Sequence, residues 1–238
     1  MRKKVVLAVG AHPDDIEFTA SGTIAKLVEV GSDAYCLICT DGSRGSRHHN
    51  TTHEELAKTR RNEQEAAGKI LGLADIFYLD HQDTQLMCNP LLKEQIVCVI
   101  RTVKPTVVIT MDPTFYYSIT SPWKKAAFIN HTDHRAAGLA TMDAVFPLSK
   151  DRLSFPEHEQ QGLSPHKVDE LWFTSFERKD YLVDITNTFE KKIKALAAHK
   201  SQFDDFPKVK QEVANHAIHF AKEEGFQFAE SFIRLVLS

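Results

Sequence analysis

Strand-length apolar runs alternate along this chain with longer stretches whose apolar and small residues recur three and four positions apart. Val5 to Val9 is the first run, Ser21 to Val30 closed by Gly31 reads as a helix, and Ala34 to Thr40 reads as a second strand, so the chain opens on a βαβ unit. A polar loop, Asp41 to Thr52, leads into an amphipathic helix over His53 to Leu71 that Gly72 ends. A third strand over Asp75 to Leu79, a helix over Leu91 to Val103 and, after Pro105, a β-branched strand over Thr106 to Met111 continue the alternation. Strands separated by helices in this way predict an α/β fold, Rossmann-like and doubly wound, with a mainly parallel sheet and right-handed crossovers.

The second half is less regular. Asp112 to Ile129 is a long loop containing Pro113, Pro122, Phe115, Tyr116 and Trp123, a length that suits a lid over a site. A helix is expected from about Asp133 to Val145, an irregular excursion over Lys150 to Lys167, strands over Glu170 to Ser175 and Tyr181 to Val183, and helices over Thr188 to His199 and Val209 to Glu223. No repeat, linker or low-complexity tract divides the chain, so residues 1–238 read as one domain.

Composition narrows the function without naming it. The 238 residues are 42% hydrophobic and 26% charged with a formal net charge of -3, ordinary for a globular chain and without the basic surplus of a nucleic-acid binder. A small neutral or mildly polar substrate fits that balance. No apolar run approaches the roughly 20 residues of a membrane span, and Met1-Arg2-Lys3-Lys4 leads straight into a strand, so no membrane association and a cytoplasmic location are expected. Cys36 and Cys39 form a C-x-x-C inside a strand, which reads as buried structural thiols.

The candidate chemistry lies in two clusters. Gly10-Ala11-His12-Pro13-Asp14-Asp15 follows the first strand, where open α/β sheets place ligands, yet it lacks the glycines that admit a pyrophosphate; a nucleotide-dependent oxidoreductase is therefore disfavoured. Asn130-His131-Thr132-Asp133-His134-Arg135 follows the fourth strand and the long loop. On one sheet edge the two would together supply three metal ligands and leave a position for water, as in a catalytic zinc site. No G-x-S-x-G elbow is present. His48, His49 and His53 read as solvated loop histidines, and His216 with His219 as a surface or packing pair.

H-P-D-D after the first strand and N-H-T-D-H-R-A-A-G after the fourth resemble the zinc-dependent N-deacetylases of the LmbE-like or PIG-L family. The resemblance extends to Thr40-Asp41-Gly42, to Arg60 and Glu63, and from Asp184 through Lys192 and His199 to Ser201-Gln202. It implies that His12, Asp15 and His134 hold Zn²⁺, with Fe²⁺ compatible with the same donors. It further implies that Asp14 is the general base, that His131 stabilises the oxyanion or serves as acid while Asp133 orients it, and that Arg60 and Asp83 face the sugar. A bland alternative for Arg60 is an intrahelical pair with Glu63. Ser43 stands where many members carry glutamate, with Arg44 after it, and Ile129 where some carry tyrosine, a place Tyr116 or Tyr117 could take. The activity implied is a metal-dependent hydrolase that removes an acyl group, foremost acetyl, from the amine of an N-acetylated amino sugar or related small molecule. The alternative is a catalytically silent metal- or ligand-binding module of the same fold, against which an intact Asp14 argues; a homo-oligomer is left open.

Overall fold

A computed structural model of the chain describes residues 3–46, 50–119, 127–178, 180–222 and 224–237. Strands β1 (Val5–Gly10), β2 (Asp33–Thr40), β3 (Asp75–His81) and β4 (Val107–Met111) alternate with helices α1 (Asp15–Thr19), α2 (Ser21–Glu29), α3 (His53–Leu71) and α4 (Pro90–Val103). Local chemistry sets the bounds. Thr52 and Glu55 form a capping box at the start of α3 and left-handed Gly72 closes it. Asn89 caps α4, with Pro90 in its first turn.

The second half contributes the short strands β5 (Tyr117–Ser118) and β6 (Phe128–Ile129), helix α5 (Thr132–Asp143), followed by a kink at Ala144–Leu148 where Phe146 is extended, and α6 (Glu157–Gln160). Then follow β7 (Glu170–Thr174), β8 (Tyr181–Asp184), α7 (Phe189–Leu196), a 3₁₀ turn at Lys200–Gln202, α8 (Phe206–Ala221) and β9 (Ala229–Val236).

The main sheet has the order β3-β2-β1-β4-β7-β9-β8. The doubly wound, mainly parallel expectation holds: β1 pairs in parallel with both β2 and β4, and β4 with β7. Chain order reverses between β1 and β4, which opens a crevice at their carboxyl ends. β9 is an addition the sequence pattern did not disclose. It inserts antiparallel between β7 and β8, pairing Glu170 with Val236 and Asp184 with Ala229.

Alternation along β1 and β2 feeds a core on each face. Leu7, Val9, Leu37 and Cys39 pack toward α4 and α5, while Val6, Ala8, Cys36 and Ile38 pack against Ile24 and Leu27 of α2. Cys36 and Cys39 are buried free thiols on opposite faces, as the C-x-x-C inside a strand suggested. Among the described residues no helix is long and apolar enough to cross a membrane.

Candidate active site

Where β1 ends, the chain turns through His12-Pro13-Asp14 into α1. Asp14 stands at the N-terminal boundary of that helix with φ at 101°, in the left-handed region, and its side chain makes no capping hydrogen bond. The Asp15 carboxylate folds back, its Oδ2 accepting the His12 main-chain N–H at 2.7 Å and lying 3.5 Å from His12 Nδ1. Its Oδ1 lies 3.1 Å from His134 Nε2. Asp14 points elsewhere, its Oδ1 3.3 Å from Arg60 Nη2. Two adjacent carboxylates thus face different partners.

The second cluster arrives on α5. His131 caps that helix, and its Nδ1 accepts the Asp133 N–H at 3.2 Å. Nδ1 is therefore the unprotonated nitrogen and Nε2 carries the ring proton. The Asp133 carboxylate, fully buried, does not reach toward His131: it accepts N–H groups from Thr84 and Leu86 and lies 3.2 Å from His12 Nε2. The expected orienting contact between Asp133 and His131 runs through the main chain, and the carboxylate acts on His12. Rings of His12, His131 and His134 converge with centroids 4.7 to 5.4 Å apart.

These residues fit a divalent cation. Asp83 and Asp133 occupy His12 Nε2, and Asn130 Oδ1 sits 3.1 Å from His134 Nδ1. His12 Nδ1 and His134 Nε2 both face the Asp15 carboxylate, a nitrogen-nitrogen-oxygen arrangement that could hold a divalent cation. Donor atoms of His12, His131 and His134 also lie within 4.8 Å of one another, as do those of His12, Asp83 and Asp133. Four carboxylates, Asp14, Asp15, Asp83 and Asp133, converge here with Arg60 as the permanent cation beside them. A 2+ ion would offset most of that surplus.

The same crowding shifts the ionisations. Burial disfavours the charged form of His12, but hydrogen bonds with Asp133, Asp15 and Asp83 overcome it and push the group up to about 12. Asp15 moves the other way, held well below the usual range by His134 and His12 against the cost of burial. Burial raises Asp14 to about 6, with Arg60 opposing. His131 is lowered by burial and by the neighbouring His12 and His134, so it is the neutral imidazole at pH 7.

Arg60 and Asp83 lie in the same cluster, against Asp14 and His12. Both are about 4% exposed. Arg60 donates to the carbonyls of Gly42 and Pro13, at a place only a glycine leaves open, since a Cβ on Gly42 would lie 2.9 Å from Pro13 Cδ and 3.1 Å from Arg60 Cζ. The bland alternative is not formed either, because Glu63 accepts from the N–H and hydroxyl of Ser201. Asp83 faces His12 and accepts the Arg44 N–H.

Ser43 is buried, with its N–H donated to Asp41 and its carbonyl accepting from exposed His53. His48, His49, Pro122, Trp123 and Glu223 lie outside the described residues. His216 packs on Phe220 and Phe176, which matches a packing role.

A cavity of about 360 Å³ opens beside His134, walled by Tyr116 and Tyr117 of the long loop and by Phe176 and Arg178 beyond β7. Ile129 is largely exposed, whereas Tyr116 lines this cavity with the Arg135 guanidinium 5.2 Å from its ring centre. Four residues had no role in the sequence reading: Asn130, which fixes His134; Thr84, which holds Asp133; Gln64, which accepts the Asp14 N–H; and Gly138. Asn130 and Gly138 open and close the N-H-T-D-H-R-A-A-G motif, and Gln64 lies one helical turn beyond Arg60 on the same face of α3.

The family model for GlcNAc-PI de-N-acetylase, PIG-L, matches residues 7–145. The chain is 33% identical over 239 residues to the diacetylchitobiose deacetylase of Thermococcus kodakarensis, covering 98% of this chain and 83% of that one. It is 27% identical over 238 residues to a 1D-myo-inositol 2-acetamido-2-deoxy-α-D-glucopyranoside deacetylase of Rhodococcus erythropolis, covering 84% and 81% of the two chains. Among solved structures, the N,N′-diacetylchitobiose deacetylase of Pyrococcus horikoshii, complexed with its inhibitor MPG, superposes with a TM-score of 0.88 at 28% identity, covering 99% of this chain and 85% of that one.

Proposed function

Because this chain belongs to the GlcNAc-PI de-N-acetylase (PIG-L) family, we propose that it is a zinc-dependent hydrolase that removes the acetyl group from the amine of an N-acetylated glucosamine derivative. The observation that carries the reading is the division of labour at one turn: Asp15 faces the two free imidazole nitrogens, while Asp14 beside it is left to handle a proton. The substrate class follows the relatives, whose names specify diacetylchitobiose and an acetamido-deoxyglucopyranoside. His12, Asp15 and His134 would hold the zinc, which when bound supplies a Lewis acid for the amide carbonyl and makes water acidic enough to attack near neutral pH.

The chain's own groups do the rest. Asp14, raised by burial to about 6, accepts the proton of the attacking water and passes it to the departing amine. Neutral His131 presents Nε2–H to the oxygen that gains negative charge, and the Asp133 N–H at its other nitrogen keeps the ring in that tautomer. Asp83 and the Asp133 carboxylate hold His12 by its Nε2, and Arg60 holds the Asp14 turn. The cavity beside His134 gives the sugar and its substituent room.

Release of free amine from N,N′-diacetylchitobiose tests the reading. Wild-type protein loaded with zinc should hydrolyse it, and Asp14→Asn should keep zinc and fold while kcat falls by about 10²–10⁴. An amide replaces the carboxylate with nearly the same shape and keeps an oxygen for Arg60. Hydrolysis by Asp14→Asn within a few-fold of wild type overturns the mechanism, and zinc-loaded wild type inert on N-acetylated glucosamines favours the silent module.

A further inference from the structure

Asp14 adopts a positive-φ backbone conformation, at 101°, that is uncommon for any residue other than glycine. Such a residue stays there only when its surroundings hold it. The hold comes from one face of α3. Gln64 accepts the Asp14 main-chain N–H at Oε1, 3.1 Å away. One turn earlier, Arg60 donates to the Pro13 carbonyl and pairs with Asp14 Oδ1.

Gln64 is itself fixed from behind. Its Nε2 donates to Glu17 Oε1 at 3.0 Å, and Glu17 Oε2 lies 3.5 Å from His199 Nε2. Gln64, Glu17 and His199 are all fully buried. The amide can point only one way, since the Asp14 N–H needs an acceptor and the Glu17 carboxylate needs a donor. Gln64 therefore cannot turn without leaving two buried polar groups unpaired.

We propose that Gln64, braced by Glu17, is the positioning residue for Asp14. Its contact is to the main chain of the residue whose carboxylate must be aimed, so it sets the direction of that carboxylate without touching the substrate. The proposal rests on the reading of Asp14 as the general base, and the experiment separates the two.

Zinc-loaded wild type and the variants Asp14→Asn, Gln64→Met, Gln64→Glu and Gln64→Glu with Glu17→Gln are assayed for amine release from N,N′-diacetylchitobiose, with zinc content, circular dichroism and thermal midpoint measured on each. Gln64→Met keeps length and helix preference but offers no acceptor of comparable strength. Its kcat should fall by about tenfold or more, because a misaimed base costs the chemical step, while KM stays within about threefold and zinc is retained. Gln64→Glu alone sets two buried carboxylates against each other and should lose both stability and activity. Adding Glu17→Gln restores the acceptor for the Asp14 N–H and the donor between the two side chains with no change in net charge, and kcat should recover. That pair carries the test if Gln64→Met does not fold. A folded Gln64→Met with wild-type kcat beside an inactive Asp14→Asn overturns the positioning role and leaves the base reading standing, as does a loss confined to the thermal midpoint. A folded, zinc-loaded double variant without recovered kcat also overturns it. An active Asp14→Asn removes the premise and the proposal together.

Discussion

Gly138→Ala would measure how tightly α5 must seat to deliver its histidines. A Cβ at this position lies 2.2 Å from the Met111 carbonyl oxygen and 3.1 Å from the carbonyl carbon. Met111 ends β4, and Gly138 follows His134 by one helical turn. Both obstructing atoms are main chain, so no rotamer relieves the overlap and α5 must back away from β4 by about 1 Å. Overpacking of this kind costs ~1–3 kcal/mol. At ~2–4 °C per kcal/mol for a domain of this size, the thermal midpoint should drop by roughly 2–12 °C.

The catalytic loss should be the larger signal. His131 and His134 travel with α5, while His12, Asp14 and Asp15 stay on the turn after β1. A shift of about 1 Å between the halves of the site is enough to cost ~10²-fold in kcat. Gly68→Ala is the control: its Cβ meets the tip of the Ile76 side chain at 2.6 Å, which can swing aside, and alanine gains up to about 1 kcal/mol of helix propensity in α3. Calorimetry and amine release on the three proteins decide the matter. A Gly138→Ala protein with wild-type midpoint and kcat would refute the claim that this close approach aligns the site.

Three further outcomes are expected. His12→Ala, Asp15→Ala and His134→Ala should each lose bound zinc on dialysis while staying folded, because the large core does not depend on the site; elemental analysis returning stoichiometric metal in all three removes that ligand set. Tyr116→Ala, which strips one wall from the cavity beside His134, should raise KM several-fold with zinc content unchanged, and an unaltered KM would exclude that wall from substrate binding. Glu170 gives a pH signature far from the site: burial opposes its charge, but Arg234, Lys4 and Trp172 donate to the carboxylate and hold its pKa down to about 2. A depressed carboxylate adds stability that is fully present above its unfolded pKa, near 4.5, and is lost as pH falls through about 2. Glu170→Gln should lower stability at pH 7 by about 1–2 kcal/mol, the partly exposed partners limiting the effect, and denaturant midpoints of the two proteins should converge between pH 4.5 and pH 2.

Much of this protein was determined by local sequence. The apolar run of β1, the capping box and terminal glycine of α3, and the proline-opened α4 are short-range signals, and those elements form within a residue or two of where the pattern put them. The two histidine-aspartate clusters were equally plain, because polar residues crowded at the end of a buried strand have few structural uses. β9 left no such trace. Its Glu230 and Ser231 are buried, the glutamate accepting the Gly22 and Thr23 N–H groups and pairing with Lys192, so its polar positions imitate an exposed segment.

Tertiary structure alone decided what each site residue touches. Arg60 reads as a sugar-facing cation, and Gly42 and Pro13 lie close enough to take its donors; Asp133 sits two residues from His131, yet the loop after β3 turns its carboxylate to His12. Gln64 acquires a role only because α3 lies against the turn after β1, fifty residues away in the chain. Periodicity along a chain specifies which face of an element is buried, whereas the partner of a buried polar group is set by whichever distant donor or acceptor the packing brings within about 3 Å.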